Sequence, residues 1–320
     1  MPSGVDGPVA GVDCGDRSPR SARPRTVAAP GAPQNRGGFE GTPARRGMAG
    51  EFVVAVLLGL IQGVFEWLPI SSEGNVAIAL RALDRSNEEA VSYALFLHLG
   101  TAVSATAYYR EEFRGVLADA DEWRPASAFG EHATLSYLGV AMAVSGVVGI
   151  VAYTALDAVV GELTGGMFIA LVGVLLVFTG LLQRYASPEI DAGARDPDAV
   201  DAVFVGAMQG LAILPGVSRS GTTASALLFR GHDGESAFRL SFLLSVPAAV
   251  AAGALEVAQN GGLPGASPLP TVVAVVVAAV VGYATIDALM RVVERVSFWL
   301  VCIGLGSLAI VGGALVFAVP

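Results

Sequence analysis

Two short polar stretches interrupt an otherwise apolar chain, and they match each other. The first is Gln62-Gly63-Val64-Phe65-Glu66-Trp67-Leu68-Pro69-Ile70-Ser71-Ser72-Glu73-Gly74, and the second is Gln209-Gly210-Leu211-Ala212-Ile213-Leu214-Pro215-Gly216-Val217-Ser218-Arg219-Ser220-Gly221. Laid over one another without a gap, Gln-Gly falls on Gln-Gly, Ser71 on Ser218 and Gly74 on Gly221. In each, a proline break is followed by hydroxyls and glycine, where an ordinary membrane helix would continue with leucine or valine. An internal repeat of this kind predicts a pair of broken helices facing each other across a buried site.

The environment of that pair follows from composition. Hydrophobic residues make up 53% of the chain and charged residues 15%, too little charge to cover a soluble protein of this length. The chain reads as an integral membrane protein. All 19 basic residues are arginine, and the formal charge is −9, as acidic loops in a high-salt cytoplasm would give. No basic patch of useful size lies beyond the N-terminal stretch, which disfavours nucleic acid as a partner. The two cysteines, Cys14 and Cys302, are too few for a zinc site and too far apart in context for a disulfide. Cys302 reads as a small packing residue.

Residues 1–47 are rich in Pro, Gly, Ser and Arg and cannot bury enough apolar surface to offset their ordering entropy. They read as a disordered tail or a mis-assigned start, with Met48-Ala-Gly-Glu-Phe-Val-Val as the natural beginning of a single membrane domain over 48–320. The apolar run from Phe52 is interrupted by Gln62 and Glu66 and ended by Pro69, short of the roughly 20 residues a spanning helix needs. It predicts the entering half of a re-entrant hairpin, with Val76 to Leu83 returning. Full spans are expected at about 90–109, 134–156 and 164–183, with a charged loop from Arg110 to His132 after the first. The second interrupted segment covers about 202–230, followed by spans at about 237–257, 271–290 and 297–318. The expected fold is therefore all-α and polytopic: an inverted repeat of one re-entrant helical hairpin plus three transmembrane helices, twice, over about 50–183 and 200–318. Loop arginines (Arg110, Arg114, Arg124, Arg184, Arg195, Arg230, Arg239, Arg291 and Arg295 against Arg81 and Arg85) put the richer face in the cytoplasm, unless the seven arginines of the tail offset them.

Ionisable groups at membrane depth are costly and usually mark function, and Glu66 and Arg219 are the clearest here. A structural ion pair joining the repeats is the plain alternative. Around Arg219 lie Ser218, Ser220, Thr222 and Thr223, with Gly216 and Gly221 on either side. An arginine fork, hydroxyls and the positive end of a helix suit the tetrahedral oxygens of a phosphate. In the first stretch Gln62 and Glu66 project from one helix face, where amide and carboxylate oxygens can hold a hard cation such as Mg²⁺ or Ca²⁺. An interhelical hydrogen bond from Gln62 fits equally well. Ser71 and Ser72 offer hydroxyls on the turn, Ser71 equally as a helix cap, and Glu73 as either a proton acceptor or an early-turn carboxylate.

These residues resemble a family. Gln62-x-x-x-Glu66, the Leu-Pro-Ile-Ser-Ser turn and Pro215-Gly-Val-Ser-Arg-Ser-Gly-Thr-Thr223 look like the signature of undecaprenyl-diphosphate phosphatases of the BacA/UppP type, over about residues 50–318. The resemblance implies hydrolysis of a long-chain polyprenyl diphosphate to the monophosphate, recycling the lipid carrier of cell-surface glycan synthesis at the cell membrane. It implies catalytic Glu66, Ser72 and Arg219. It further implies diphosphate binding at Arg219 with Ser218, Ser220 and Thr223, and a divalent cation at Gln62 and Glu66. Gly216 and Gly221, which let a ligand approach backbone N–H groups, and the Ser71 hydroxyl on the turn are expected to join the substrate site. The family's first acidic position is Gln62 here, and the histidine that typically follows Ser-Ser-Thr-Gly is Asn75. Glu66 and then Glu73 are the expected replacements for its proton chemistry. His98, His132 and His232 lie outside both polar stretches, which argues against phosphatases that use a nucleophilic histidine.

The expected partners are the polyprenyl diphosphate and membrane lipid, with a homodimer left open. The rival expectation is a polyprenyl-phosphate flippase or anion transporter, whose usual design shares the inverted repeat. Gly139, Gly146, Gly149 and Gly173 are expected to serve close helix packing.

Overall fold

The structure is a computed structural model and describes residues 48–186, 195–265, 267–293 and 295–318. The expected tail, with Cys14, lies outside the described residues. Among the described residues the chain forms eleven α-helices, one short 3-10 turn and no strand. The first six helices are α1 (Met48–Phe65), α2 (Ser72–Arg81), α3 (Asn87–Tyr108), α4 (Arg110–Ala118), α5 (Ala133–Val160) and α6 (Gly165–Tyr185). The remaining five are α7 (Ala199–Leu211), α8 (Arg219–Phe229), α9 (Gly234–Asn260), α10 (Pro268–Val293) and α11 (Phe298–Ala318).

Seven of these, α1, α3, α5, α6, α9, α10 and α11, are long and apolar enough to cross a membrane. Their outer faces carry bare aliphatic side chains, such as Val147, Ile150 and Val151 on α5 and Leu308, Val311 and Leu315 on α11. Such a surface is tolerable only against lipid. The chain is a multi-pass membrane protein. The six expected full spans coincide with α3, α5, α6, α9, α10 and α11. The first interrupted run differs, because its helix begins at Met48 and reaches 18 residues, long enough by composition alone to count as a span. The charged loop after α3 also differs. It contains α4, an amphipathic helix whose Phe113 and Val116 touch the core while its charges face outward.

Polar caps set the helix starts. Ser86 and Glu89 form a reciprocal capping box on α3, Asp198 and Asp201 do the same on α7, and Thr164 and Asp233 cap α6 and α9. Beside its cap, Asp201 is buried and receives Arg195, Arg230 and His232 at 2.7, 2.7 and 3.0 Å. Burial acts to raise the Asp201 carboxyl, but the Asp198 backbone N–H, His232, Arg230 and Arg195 together hold it well below the usual carboxylate range.

Packing between helices rests on glycines that let backbones touch. A Cβ at Gly59 or Gly63 of α1 would fall 2.5 or 2.9 Å from carbonyl oxygens of α10, those of Ala274 and Ala278. At the matching positions of the second repeat, Gly206 and Gly210 of α7 press in the same way on α5. Gly173 of α6 and Gly306 of α11 face each other so closely that a Cβ on either would lie 2.6 Å from the other's carbonyl oxygen. Of the glycines expected to pack, Gly173 is therefore the tight one and Gly149 makes ordinary contact. Gly139 and Gly146 face open space. The largest buried cluster gathers Trp67 of the first break, Tyr137 of α5, and Leu240, Phe242 and Leu243 of α9.

Candidate active site

The two breaks meet. Ser71, in the left-handed region at φ 59°, caps α2 by accepting the Gly74 N–H at 3.2 Å, and its oxygen also accepts the Gly216 N–H at 3.2 Å. A lone left-handed serine costs on the order of 1 kcal/mol, which two bonds to otherwise orphaned N–H groups offset. The contact needs glycine on both sides, since a Cβ at Gly74 would sit 3.0 Å from the Gly216 nitrogen. Gly216 itself has φ 107°, open to glycine alone. Ser218 caps α8 in the same manner through the Gly221 N–H, at 3.2 Å.

Broken helices free backbone carbonyls, and in a low-dielectric interior each must find a donor. The Pro69 carbonyl accepts from Gln183 Nε2 at 2.6 Å and from the Cys302 thiol at 3.1 Å. Asn75 Nδ2 donates to the carbonyls of Ile70 and Ser71, at 3.0 and 2.8 Å. Thr179 donates to the Gly216 carbonyl and accepts the Ser218 N–H, at 3.3 and 3.1 Å. One helix, α6, thus braces both breaks through Thr179 and Gln183. Neither residue stands out in the sequence, because both are uncharged side chains near the end of an apolar run.

Held this way, the breaks bring Glu66, Leu68, Ser72, Glu73, Ser218, Arg219 and Ser220 around one small polar cleft. Arg219 Nη2 is ion-paired with Glu66 Oε1. The other half of its fork, Nη1, is buried and has no partner. Glu66 Oε2 accepts from Ser72 Oγ at 2.7 Å and from Gln62 Nε2 at 3.0 Å. Gln62 Oε1 is buried without a hydrogen-bond partner. The expected Glu66, Ser72, Arg219, Gln62, Ser218, Ser220 and Glu73 therefore share one neighbourhood.

Five expected residues make other contacts. Ser71 and Gly216 build the joint between the breaks, Gly221 donates its N–H to the Ser218 cap and packs against Gln183, and Thr223 turns away, donating to the Arg219 carbonyl at 2.8 Å and meeting Ser241 at 2.6 Å. Asn75 is occupied with the turn carbonyls. One residue read as lying outside the site is in it: His98, from the middle of α3, lies with Nε2 3.1 Å from Glu66 Oε2 and 3.1 Å from Glu73 Oε1. An ionisable residue inside an apolar span was the available signal. His132 and His232 do remain outside the cleft.

Among the described residues no group of three or more His, Cys, Asp or Glu side chains is arranged as a metal site. The partnerless Gln62 Oε1 beside the Glu66 carboxylate is nonetheless an oxygen donor set of the kind hard cations take. Mg²⁺ in particular commonly uses one or two carboxylates and completes its shell with water and substrate phosphate.

A multi-pass helical protein with a buried carboxylate–arginine–serine cluster between two broken helices is built to handle an anion at membrane depth. The particular family follows from comparison with known proteins. The sequence matches the family model described as bacitracin resistance protein BacA over residues 55–308, and the chain belongs to that family. It is 57% identical to the undecaprenyl-diphosphatase of Haloarcula marismortui over 266 residues, covering 82% of this chain and 98% of that protein. It is 38% identical to the undecaprenyl-diphosphatase of Methanococcoides burtonii over 80% of this chain and 96% of that one. The protein of the same name from Methanopyrus kandleri is 37% identical over 81% and 95%.

Proposed function

We propose that this chain is an integral membrane phosphatase that hydrolyses undecaprenyl-type diphosphate to the monophosphate and inorganic phosphate. By doing so it recycles the lipid carrier of cell-surface glycan synthesis at the cell membrane. Its relatives' shared name supports the activity. The observation that carries the mechanism is Ser72 Oγ 2.7 Å from Glu66 Oε2, opposite an Arg219 Nη1 that is buried and free. That separation is within the reach a general base needs.

In the proposed reaction the Arg219 fork, with Ser218 and Ser220 at its sides, takes up the terminal phosphate oxygens and stabilises the charge that develops on them. Ser72, or a water in its stead, attacks the terminal phosphorus in line with the bridging oxygen. Glu66 accepts the proton, the bond to the bridging oxygen breaks, and the prenyl monophosphate leaves. Where Ser72 attacks, a water then cleaves the resulting phosphoserine, freeing inorganic phosphate and returning a proton to Ser72. A divalent cation, held by Gln62 Oε1 and Glu66 together with the diphosphate, would neutralise ground-state charge. The architecture proposed for this site is two re-entrant hairpins in inverted repeats. It is supported by the matched breaks, the matched Gly59/Gly63 and Gly206/Gly210 contacts, and the pairing of α1 with α10 and α7 with α5. A homodimer is compatible with it.

Purified protein given an undecaprenyl diphosphate and Mg²⁺ in detergent is expected to release inorganic phosphate. A flippase or anion transporter would bind the lipid and release none, and that outcome would overturn the reading.

A further inference from the structure

We infer that His98 is a positioning residue of this site, holding Glu66 and Glu73 so that the Glu66 oxygen shared with Ser72 stays aimed at the hydroxyl. The inference rests on the phosphatase reading for its kinetic arm only. His98 lies in the middle of α3, which packs against α2, α9 and α10 at once, so its backbone is fixed on several sides. Its Nδ1 is 3.0 Å from the Ala94 carbonyl oxygen, one turn back. A carbonyl can only accept, so Nδ1 carries a hydrogen and the ring orientation is set by its own helix. That leaves Nε2 directed at the breaks, 3.1 Å from Glu66 Oε2, 3.1 Å from Glu73 Oε1 and 3.5 Å from Ser72 Oγ.

Two carboxylates converging on one nitrogen would repel each other if nothing lay between them. With Nδ1 already carrying a hydrogen, an N–H at Nε2 makes the ring an imidazolium, and that one positive charge between the two carboxylates satisfies both and keeps their separation fixed. Glu66 comes from the break and Glu73 from the first turn of α2, so His98 ties the turn that carries Ser72 to a helix outside it. The other charged group facing this cluster is Arg219, through Glu66. Among the described residues nothing on α9 or α10 comes within ion-pair distance of the ring. The sequence repeat shows that the ring is not a packing default. α3 and α9 begin at Asn87 and Gly234, in the same register as the two polar stretches, so the position of α9 that matches His98 is Ser245, whose hydroxyl bonds back to the Phe242 carbonyl at 2.6 Å. Only the repeat that supplies the carboxylates has a side chain at this position long enough to hold them.

The test compares His98→Gln with His98→Leu in phosphate release. Glutamine keeps a donor near the Nε2 position, whereas leucine keeps only bulk. The expected result is a kcat for His98→Leu about 10- to 100-fold below wild type with KM nearly unchanged, and recovery by His98→Gln to within about fivefold. A glutamine variant as poor as leucine would overturn the inference, because the ring and not its donor would then be required. So would a loss confined to KM, or a leucine variant at wild-type rate.

A second arm needs no activity. In thermal unfolding, His98→Leu should lower Tm, and adding Glu73→Gln should restore part of the loss by removing one of the two facing charges. Strict additivity of the two changes would refute the contact. If the wild-type protein releases no phosphate, the phosphatase reading fails while this cycle still decides the role of His98.

Discussion

Replacing Arg219 by lysine separates its two jobs. In the native site one half of the fork is spent on Glu66, and the other half, Nη1, is buried with no partner. A lysine ammonium can keep the Glu66 pair but cannot also present a second, rigidly placed donor to a phosphate oxygen. What is lost is one transition-state donor in a site that excludes water, about 3 kcal/mol or roughly a hundredfold in kcat. The fold should suffer little, because the buried Glu66 charge keeps a cation. Arg219→Ala should lose at least as much rate and also stability. Leaving a buried charge unpaired costs about 3–5 kcal/mol where nothing else solvates it. Gln62, Ser72 and His98 still donate to Glu66, so the loss should fall below that range. The assay is inorganic phosphate release from a prenyl diphosphate in detergent, with kcat and KM resolved, beside a thermal unfolding curve for each variant. A lysine variant within about fivefold of the wild-type kcat would show that the free half of the fork does not meet the transition state.

Four further outcomes follow from other parts of the molecule. Ser72→Ala should lower kcat at least about a hundredfold, with no phosphate trapped on the protein in rapid-quench mass spectrometry, whereas near-normal turnover would assign the attack to water. Chelation of divalent cations should abolish activity, and Gln62→Leu should raise the Mg²⁺ concentration giving half-maximal rate more than it raises the lipid KM. Asp201 has a folded-state carboxyl held below its unfolded value, so its contribution is present above that value and fades as pH falls through the folded one. Asp201→Asn should accordingly cost about 2 kcal/mol at pH 7, and the Tm gap to wild type should narrow on acidification. Gly173→Val should force α6 from α11 and cost roughly 1–3 kcal/mol, while Gly139→Val, facing open space, should leave Tm unchanged.

What the sequence made legible was whatever announces itself locally. A proline followed by hydroxyls and glycine marks a break, and two such breaks in matching register mark a pair. Glu66 and Arg219 stood out because charge inside an apolar run has few explanations. The contact between Ser71 and Gly216 was partly readable, since a serine after a break is a natural cap, but its second acceptor duty crosses from one repeat to the other. Thr179, Gln183 and Cys302 were not readable at all. Their task is to satisfy carbonyls that the breaks expose, and which residues do so depends on how α6 and α11 lie against them. His98 is visible as an ionisable residue in an apolar span, but its distance along the chain from both breaks hides its distance in space. α3 returns past the first break, so a residue 26 positions beyond Ser72 approaches its hydroxyl to 3.5 Å.

The two repeats have divided the labour at matching positions. Where the first carries Glu66, Ser72 and Glu73, the second carries Ile213, Arg219 and Ser220. A site with two copies of the first would crowd four carboxylates around an anionic substrate, and one with two arginines would bind the diphosphate without a group to accept the proton. In the proposed reaction one of each would put a cation against the phosphate and a carboxylate against the serine, and each charge is the other's counter-ion in the structure. The Glu66–Arg219 pair is then both the tie between the repeats and the resting form of the proposed catalytic pair, so the structural and catalytic readings describe one contact. Glu66→Gln tests this directly: it should retain most of the folded yield, because the amide still accepts from Arg219, and lose the proton acceptor for Ser72, lowering kcat about a hundredfold or more. If Glu66→Gln turned over normally while Glu66→Leu failed to fold, the pair would be a tie alone.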